Sequence, residues 1–120
     1  QAWKVFLPTA YGAGETVPHQ IIGQPIIGEP GSVSTETYLA IGPFESKVDA
    51  EHAMAYLTTR FARFLISLRK PAQHNIPSTF NWVPILDWTE TWDDQRLFEK
   101  FGITEAEQTY IASLVREMSL

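Results

Sequence analysis

The segment between Pro43 and Pro71 constrains the fold most, because its apolar residues recur at the three- to four-residue spacing of an α-helix. Ser46 opens the segment and Asp49 follows three residues later, an order typical of a helix N-terminus capped by a side chain. Pro71 closes it, since proline cannot continue a helix. The pattern therefore predicts one helix of about six turns with a single apolar face. That face consists of Ala50, Ala53, Leu57, Phe61, Phe64, Leu65 and Leu68.

Strand patterns dominate the part of the chain before this helix. Residues 3–7 and 33–41 are rich in β-branched and aromatic side chains, and Gly42-Pro43 is expected to end the second strand. The apolar doublets at residues 21–22 and 26–27 predict short or irregular edge strands, because the proline between them cannot donate to a sheet ladder.

Three further elements are predicted after the long helix. An aromatic run at residues 80–86 is interrupted by a proline and predicts an edge strand. A short helix is predicted over residues 93–101, with Gly102 as its stop. Thr104 and Glu107 predict a capping box at the start of the last helix. The inner face of that helix is predicted to hold Tyr110, Ile111, Leu114, Val115 and Met118.

These elements add up to an α+β fold, with strands early and helices late. We expect a small mixed or antiparallel sheet with one long helix and two C-terminal helices, in a single domain over residues 1–120. The chain opens on Gln1 rather than Met, so a processed product or a piece of a longer protein is expected. It has no apolar run long enough for a membrane span, no secretory signal pattern and no cysteine, so we expect a cytoplasmic location.

Charge is distributed unevenly along the sequence. The net charge of −5 taken alone argues against a nucleic-acid partner. Residues 60–79, however, hold four basic residues and no acidic one, whereas residues 1–59 carry a net charge of −4 and residues 80–120 a net charge of −5. Because salt screens charges beyond about 8–10 Å, the local sign matters more than the total. The basic window is therefore the candidate binding region.

A dense group of hydroxyls at residues 32–37 precedes the strand core and is more polar than packing alone requires. Residues 31–38 together with Ile41-Gly42-Pro43-Phe44 resemble the C-terminal part of adenine-specific DNA methyltransferases of bacterial restriction–modification systems, including methylases fused to a restriction endonuclease. The resemblance covers most of the chain, from about Trp3 to Met118. It continues through Arg63-Phe64-Leu65, Lys70, Gln73-His74, Val83-Pro84, Asp87, Trp92, Leu97 and residues 101–105 to Ile111.

In that family the catalytic domain lies upstream. It carries a glycine motif for S-adenosylmethionine and an Asn-Pro-Pro-Tyr-type tetrapeptide for the flipped adenine, and neither motif occurs in this sequence. The resemblance therefore implies a segment without catalytic residues or a cofactor of its own, with S-adenosylmethionine expected only in the upstream domain. The family often has a lysine pair where this chain has Ser78-Thr79, which weakens the case for a phosphate contact there.

Nine residues are candidates for contact with double-stranded DNA. Arg60, Arg63, Arg69 and Lys70 could follow a phosphate backbone, although cations near a helix C-terminus also complement its dipole. Gln73, His74 and Asn75 could read bases in the major groove, or they could form an ordinary polar loop. Ser34 and Thr35 could make secondary contacts, or they could cap and pair within the strand.

Other clusters favour structural roles. Trp82, Trp88 and Trp92 are expected in the core, as aromatic residues of small domains usually are. Asp87, Glu90, Asp93 and Asp94 do not have the spacing of a calcium loop, and the last two suit a helix N-terminus. Glu45-Ser46-Lys47 matches half of a nuclease motif, but it stands at a helix start with no aspartate before it.

The sequence thus predicts a target-recognition domain that holds duplex DNA against the upstream catalytic domain of the same polypeptide. One alternative is a docking module that packs against the methylase or endonuclease portion through a residual apolar patch. That patch would include Tyr56, Phe61 or Ile66. A second alternative is that the chain is part of a restriction endonuclease.

Overall fold

The computed structural model describes residues 2–8, 20–32, 38–69 and 86–118 of the chain. They form the α+β fold that the sequence predicts, with strands early and helices late. The strands are β1 (Trp3–Pro8), β2 (Ile26–Gly28) and β3 (Tyr38–Phe44). The helices are α1 (Lys47–Leu57), α2 (Arg60–Arg69), α3 (Asp94–Lys100) and α4 (Glu105–Leu114).

The three strands form one antiparallel sheet in the order β2-β1-β3. The central strand β1 buries Val5 and Leu7 completely, as alternating side chains on the covered face of a sheet should. Helix α1 packs on the sheet through Ala50 and Ala53, whose small side chains bring the two layers close together. The predicted edge strand at residues 26–27 is confirmed as β2, while residues 21–22 are buried without belonging to a strand.

Strand β3 does not end at Gly42-Pro43, as the sequence led us to expect. It continues to Phe44, which pairs with Trp3 beyond a register shift in β1. Gly42 lies at a φ of 147°, a conformation open to glycine, and the following peptide bond is cis. The part of this strand predicted at residues 33–37 lies outside the described residues.

The prediction of one helix of about six turns between Ser46 and Pro71 is wrong, because a break at Thr58–Thr59 separates α1 from α2. Both threonine hydroxyls bond backbone carbonyls one turn earlier, Thr58 to Ala55 and Thr59 to Tyr56. Such local bonds compete with the helical ladder. The Thr59 hydroxyl then accepts a hydrogen bond from the Ala62 amide at 3.1 Å, so Thr59 caps the start of α2.

The predicted caps of the other helices are confirmed. The Ser46 hydroxyl accepts a hydrogen bond from the Asp49 amide at 3.1 Å. Thr104 and Glu107 form the reciprocal capping box of α4. Helix α3 ends at Lys100, and Gly102 follows its C-cap with a φ of 65°, which lets the Ile103 amide donate to the Phe98 carbonyl oxygen in the last turns of the helix.

The core lies between the sheet, α1 and α2 and continues to α3 and α4. Trp92 is buried and Trp88 packs against the core, as predicted, whereas Trp82 lies outside the described residues. The apolar patch predicted for a docking module is not a surface, because its three members are all buried. These members are Tyr56, Phe61 and Ile66. Among the described residues, no helix has both the length and the apolar character that crossing a membrane requires.

Candidate nucleic-acid interface

Helix α2 carries the described part of the basic window, and its N-terminus is fixed by a carboxylate from another helix. The Asp94 side chain, at the start of α3, accepts hydrogen bonds from the Arg60 amide at 3.0 Å and the Phe61 amide at 2.8 Å. Two of the amides that an α-helix leaves unpaired at its start are therefore satisfied. The negative charge also complements the positive end of the helix dipole. These contacts give α2 a fixed position on α3.

Arg63 lies inside the protein, not on its surface, with 0% of its area exposed. Its Nε atom donates to the Thr58 and Thr59 carbonyl oxygens at 3.0 and 3.2 Å, and its Nη1 atom donates to the Gln20 carbonyl oxygen at 3.0 Å. Burial lowers the pKa of Arg63 to about 10, although the nearby charge of Asp94 opposes that shift. The guanidinium therefore still carries its charge at neutral pH.

Its position removes Arg63 from the predicted phosphate contacts, because a phosphate cannot reach a fully buried guanidinium. The residue instead joins the carbonyl groups at the end of α1 to the chain segment that precedes β2. The spacing of the basic residues does not predict this burial, since Arg63 belongs to the same acid-free window as the other three basic residues.

Gln20 is a second residue whose role the sequence analysis missed. Besides the bond from Arg63, its side-chain oxygen accepts a hydrogen bond from Arg116 at 3.3 Å, and its side-chain nitrogen donates to the Ile22 carbonyl at 2.8 Å. Ile21 between them has a φ of 76°, a strained conformation for a β-branched residue. The hydrogen bonds around Gln20 hold the chain in this conformation.

Arg60 is half-buried at the first position of α2. Its Nε atom donates to the Val115 carbonyl oxygen at 3.0 Å, which ties the side chain to the end of α4. This bond uses one of the five guanidinium N–H groups, so the partly exposed head can still donate to an outside acceptor. Arg60 is thus the one predicted DNA contact whose described side chain has both exposure and spare donors.

The side chains of the remaining predicted contacts lie outside the described part of the structure. Arg69 is the last residue of α2, and nothing is described of its side chain. The others lie outside the described residues and stay predictions. They are Lys70, Gln73, His74, Asn75, Ser34 and Thr35.

A pocket of about 260 Å³ lies where α1, α2 and α3 meet the chain after α4. Its wall includes both cations discussed above, Arg60 and Arg63, and the acidic side chains Asp93, Asp94 and Glu117. Asp94 is engaged with the α2 amides, and Asp93 accepts a hydrogen bond from the Arg96 amide as the N-cap of α3. The pocket therefore consists mainly of the polar contact region between the helices.

The acidic cluster has the structural role that the sequence favoured. Asp87 accepts hydrogen bonds from the Thr89 hydroxyl and amide, and these lower the pKa of its carboxyl. Glu90 forms an exposed ion pair with Arg96 at 2.7 Å. No group of three potential metal ligands occurs among the described positions. The Nδ1 atom of His52 lies 2.8 Å from the Trp88 carbonyl oxygen.

Tyr110 departs from its predicted place on the inner face of α4. Ile111 and Val115 are buried there, while Tyr110 is 59% exposed. Adjacent residues in a helix lie about 100° apart, so a face centred on Ile111 leaves Tyr110 at its margin.

Comparison of the chain with protein-family models, curated proteins and solved structures finds no match.

Proposed function

We propose that this chain is a DNA-recognition domain, without catalytic residues of its own, from a bacterial restriction–modification enzyme related to adenine-specific DNA methyltransferases. It would hold duplex DNA against the upstream catalytic domain of the same polypeptide, where S-adenosylmethionine would bind. Such an enzyme would act in the cytoplasm. The observation that carries the proposal is the acid-free basic window, residues 60–79, which starts on a helix anchored at one end.

The buried Arg63 changes which residues make the proposed contacts. Arg60, Arg69 and Lys70 remain as phosphate contacts. The anchored start of α2 supports this arrangement, because a helix that is already fixed loses little conformational entropy when it binds DNA. Proposed base contacts come from Gln73, His74 and Asn75, with secondary contacts from Ser34 and Thr35.

Three phosphate contacts define the salt dependence that this proposal requires. Each neutralised phosphate on duplex DNA contributes about −0.9 to the slope of log affinity against log salt concentration, so the expected slope is about −2.7. Affinity should then fall by about 40-fold between 50 and 200 mM salt. A chain with a net charge of −5 has no general attraction for DNA, so a slope of this size would indicate a localised basic surface.

The test is a fluorescence-anisotropy titration of the chain with a labelled duplex at both salt concentrations. The variant Arg69→Ala/Lys70→Ala should lower the slope to about −0.9, which corresponds to a fall of only about 3- to 4-fold over the same range. Arg63 is left unchanged, because its loss would disturb the fold and not the contact surface.

The matched control is Lys47→Ala/Arg96→Ala, which removes the same charge from exposed positions on α1 and α3. Its slope should stay near that of the unaltered chain. Equal slopes for the two double variants would contradict the proposed surface. A chain that fails to bind duplex at 50 mM salt would contradict the proposed function.

A further inference from the structure

We draw no further inference here: the strongest candidate, the pocket of about 260 Å³ where α1, α2 and α3 meet the chain after α4, belongs to the polar contact region already described, since its Arg63 side chain is completely buried and out of a ligand's reach, and its Asp93 and Asp94 carboxylates already accept hydrogen bonds from helix amides.

Discussion

The two halves of this small core are held together by different forces. Where α1 covers the sheet, the buried side chains are apolar, as at Val5, Leu7 and Ala53. Where α1 meets α2 and α3, apolar residues such as Leu97 are buried too, but polar side chains also join the helices, with Arg63 at 0% exposure and Asp94 bonded to two helix amides. Apolar burial is non-directional, whereas each hydrogen bond at the junction has one geometry.

This difference predicts different tolerance to substitution. In the sheet half, a side chain of similar volume can repack, and the loss of free energy of unfolding is small. At the helix junction, the loss of one donor or acceptor leaves its buried partner unpaired, and the full desolvation cost of that partner remains. Shape and volume therefore matter most in one half, and chemical identity matters most in the other.

The largest expected effect is that of Arg63→Met, which keeps much of the volume of the side chain and removes its donors. The carbonyl groups of Thr58, Thr59 and Gln20 would lose a charged partner inside the protein. We expect the free energy of unfolding to fall by about 3 kcal/mol, measured by urea denaturation. The matched change in the sheet half is Leu7→Met, at an equally buried position, and should cost less than about 1.5 kcal/mol.

Equal losses in these two variants would remove the distinction between the halves. A loss of less than about 1 kcal/mol for Arg63→Met would mean that water replaces the guanidinium as the hydrogen-bond donor to the three carbonyl groups.

The second expected effect comes from Asp94→Asn, which keeps the shape of the side chain and removes its charge and one acceptor. One of the two amides at the start of α2 would lose its partner, so we expect a loss of about 1–1.5 kcal/mol. The neighbour Asp93 provides the control, because it caps its own helix through the Arg96 amide. Asparagine caps a helix about as well as aspartate does, so Asp93→Asn should change stability by less than about 0.5 kcal/mol.

Thermal melting of both variants at neutral pH would measure these effects. Similar losses for the two neighbours would show that Asp94 contributes no more than an acidic residue in the first turn of α3, and its hydrogen bonds to the α2 amides would then add no stability.

The sheet half was largely predictable from the sequence, and the helix junction was not. Periodicity identifies α1 and β1 because apolar burial repeats along the chain, and the caps at Ser46 and Thr104 follow from short local patterns. The break at Thr58–Thr59 was missed because apolar spacing continues across it. Only the competing hydroxyl bonds and the distant carboxylate of Asp94 show why the helix restarts.

The same limit applies to the candidate site. Charge counting found the basic window, because charge is a property of the sequence. It could not separate Arg60, which keeps spare donors near the surface, from Arg63, which is buried, since both lie on α2 three residues apart. The exposure of Tyr110 and the role of Gln20 depend on contacts between elements far apart in the chain, which no local pattern encodes.

The third prediction is a gain in the free energy of unfolding, not a loss, because it concerns a polar atom within the apolar half. Tyr56 is 1% exposed and packs on Trp88, and its hydroxyl has no hydrogen-bond partner in the described part of the chain. Burial raises the pKa of this hydroxyl well above its ordinary value. Tyr56→Phe removes the unpaired group without changing the ring, so the free energy of unfolding should rise by about 1 kcal/mol.

Urea denaturation of Tyr56→Phe beside the unaltered chain would measure this gain. A loss of stability instead would reveal that the hydroxyl is hydrogen-bonded in solution, and the apolar half would then depend on a directional contact as well.

The smallest expected effect is a pH dependence at the surface of α4, outside both halves of the core. Hydrogen bonds from the Thr104 amide, and then from its hydroxyl, lower the pKa of Glu107 below the ordinary value of 4.5. A carboxyl group with a lowered pKa in the folded state stabilises the protein fully above its unfolded pKa and loses that contribution as the pH falls through the folded pKa. Glu107→Gln does not titrate, so its stability should fall less steeply than that of the unaltered chain below about pH 4.5. The control variant Glu51→Gln removes an exposed carboxylate from α1. Below about pH 4.5 its stability should fall more steeply than that of Glu107→Gln. If the stability curves of the two variants superimpose, the capping box adds nothing to the acid sensitivity of the protein.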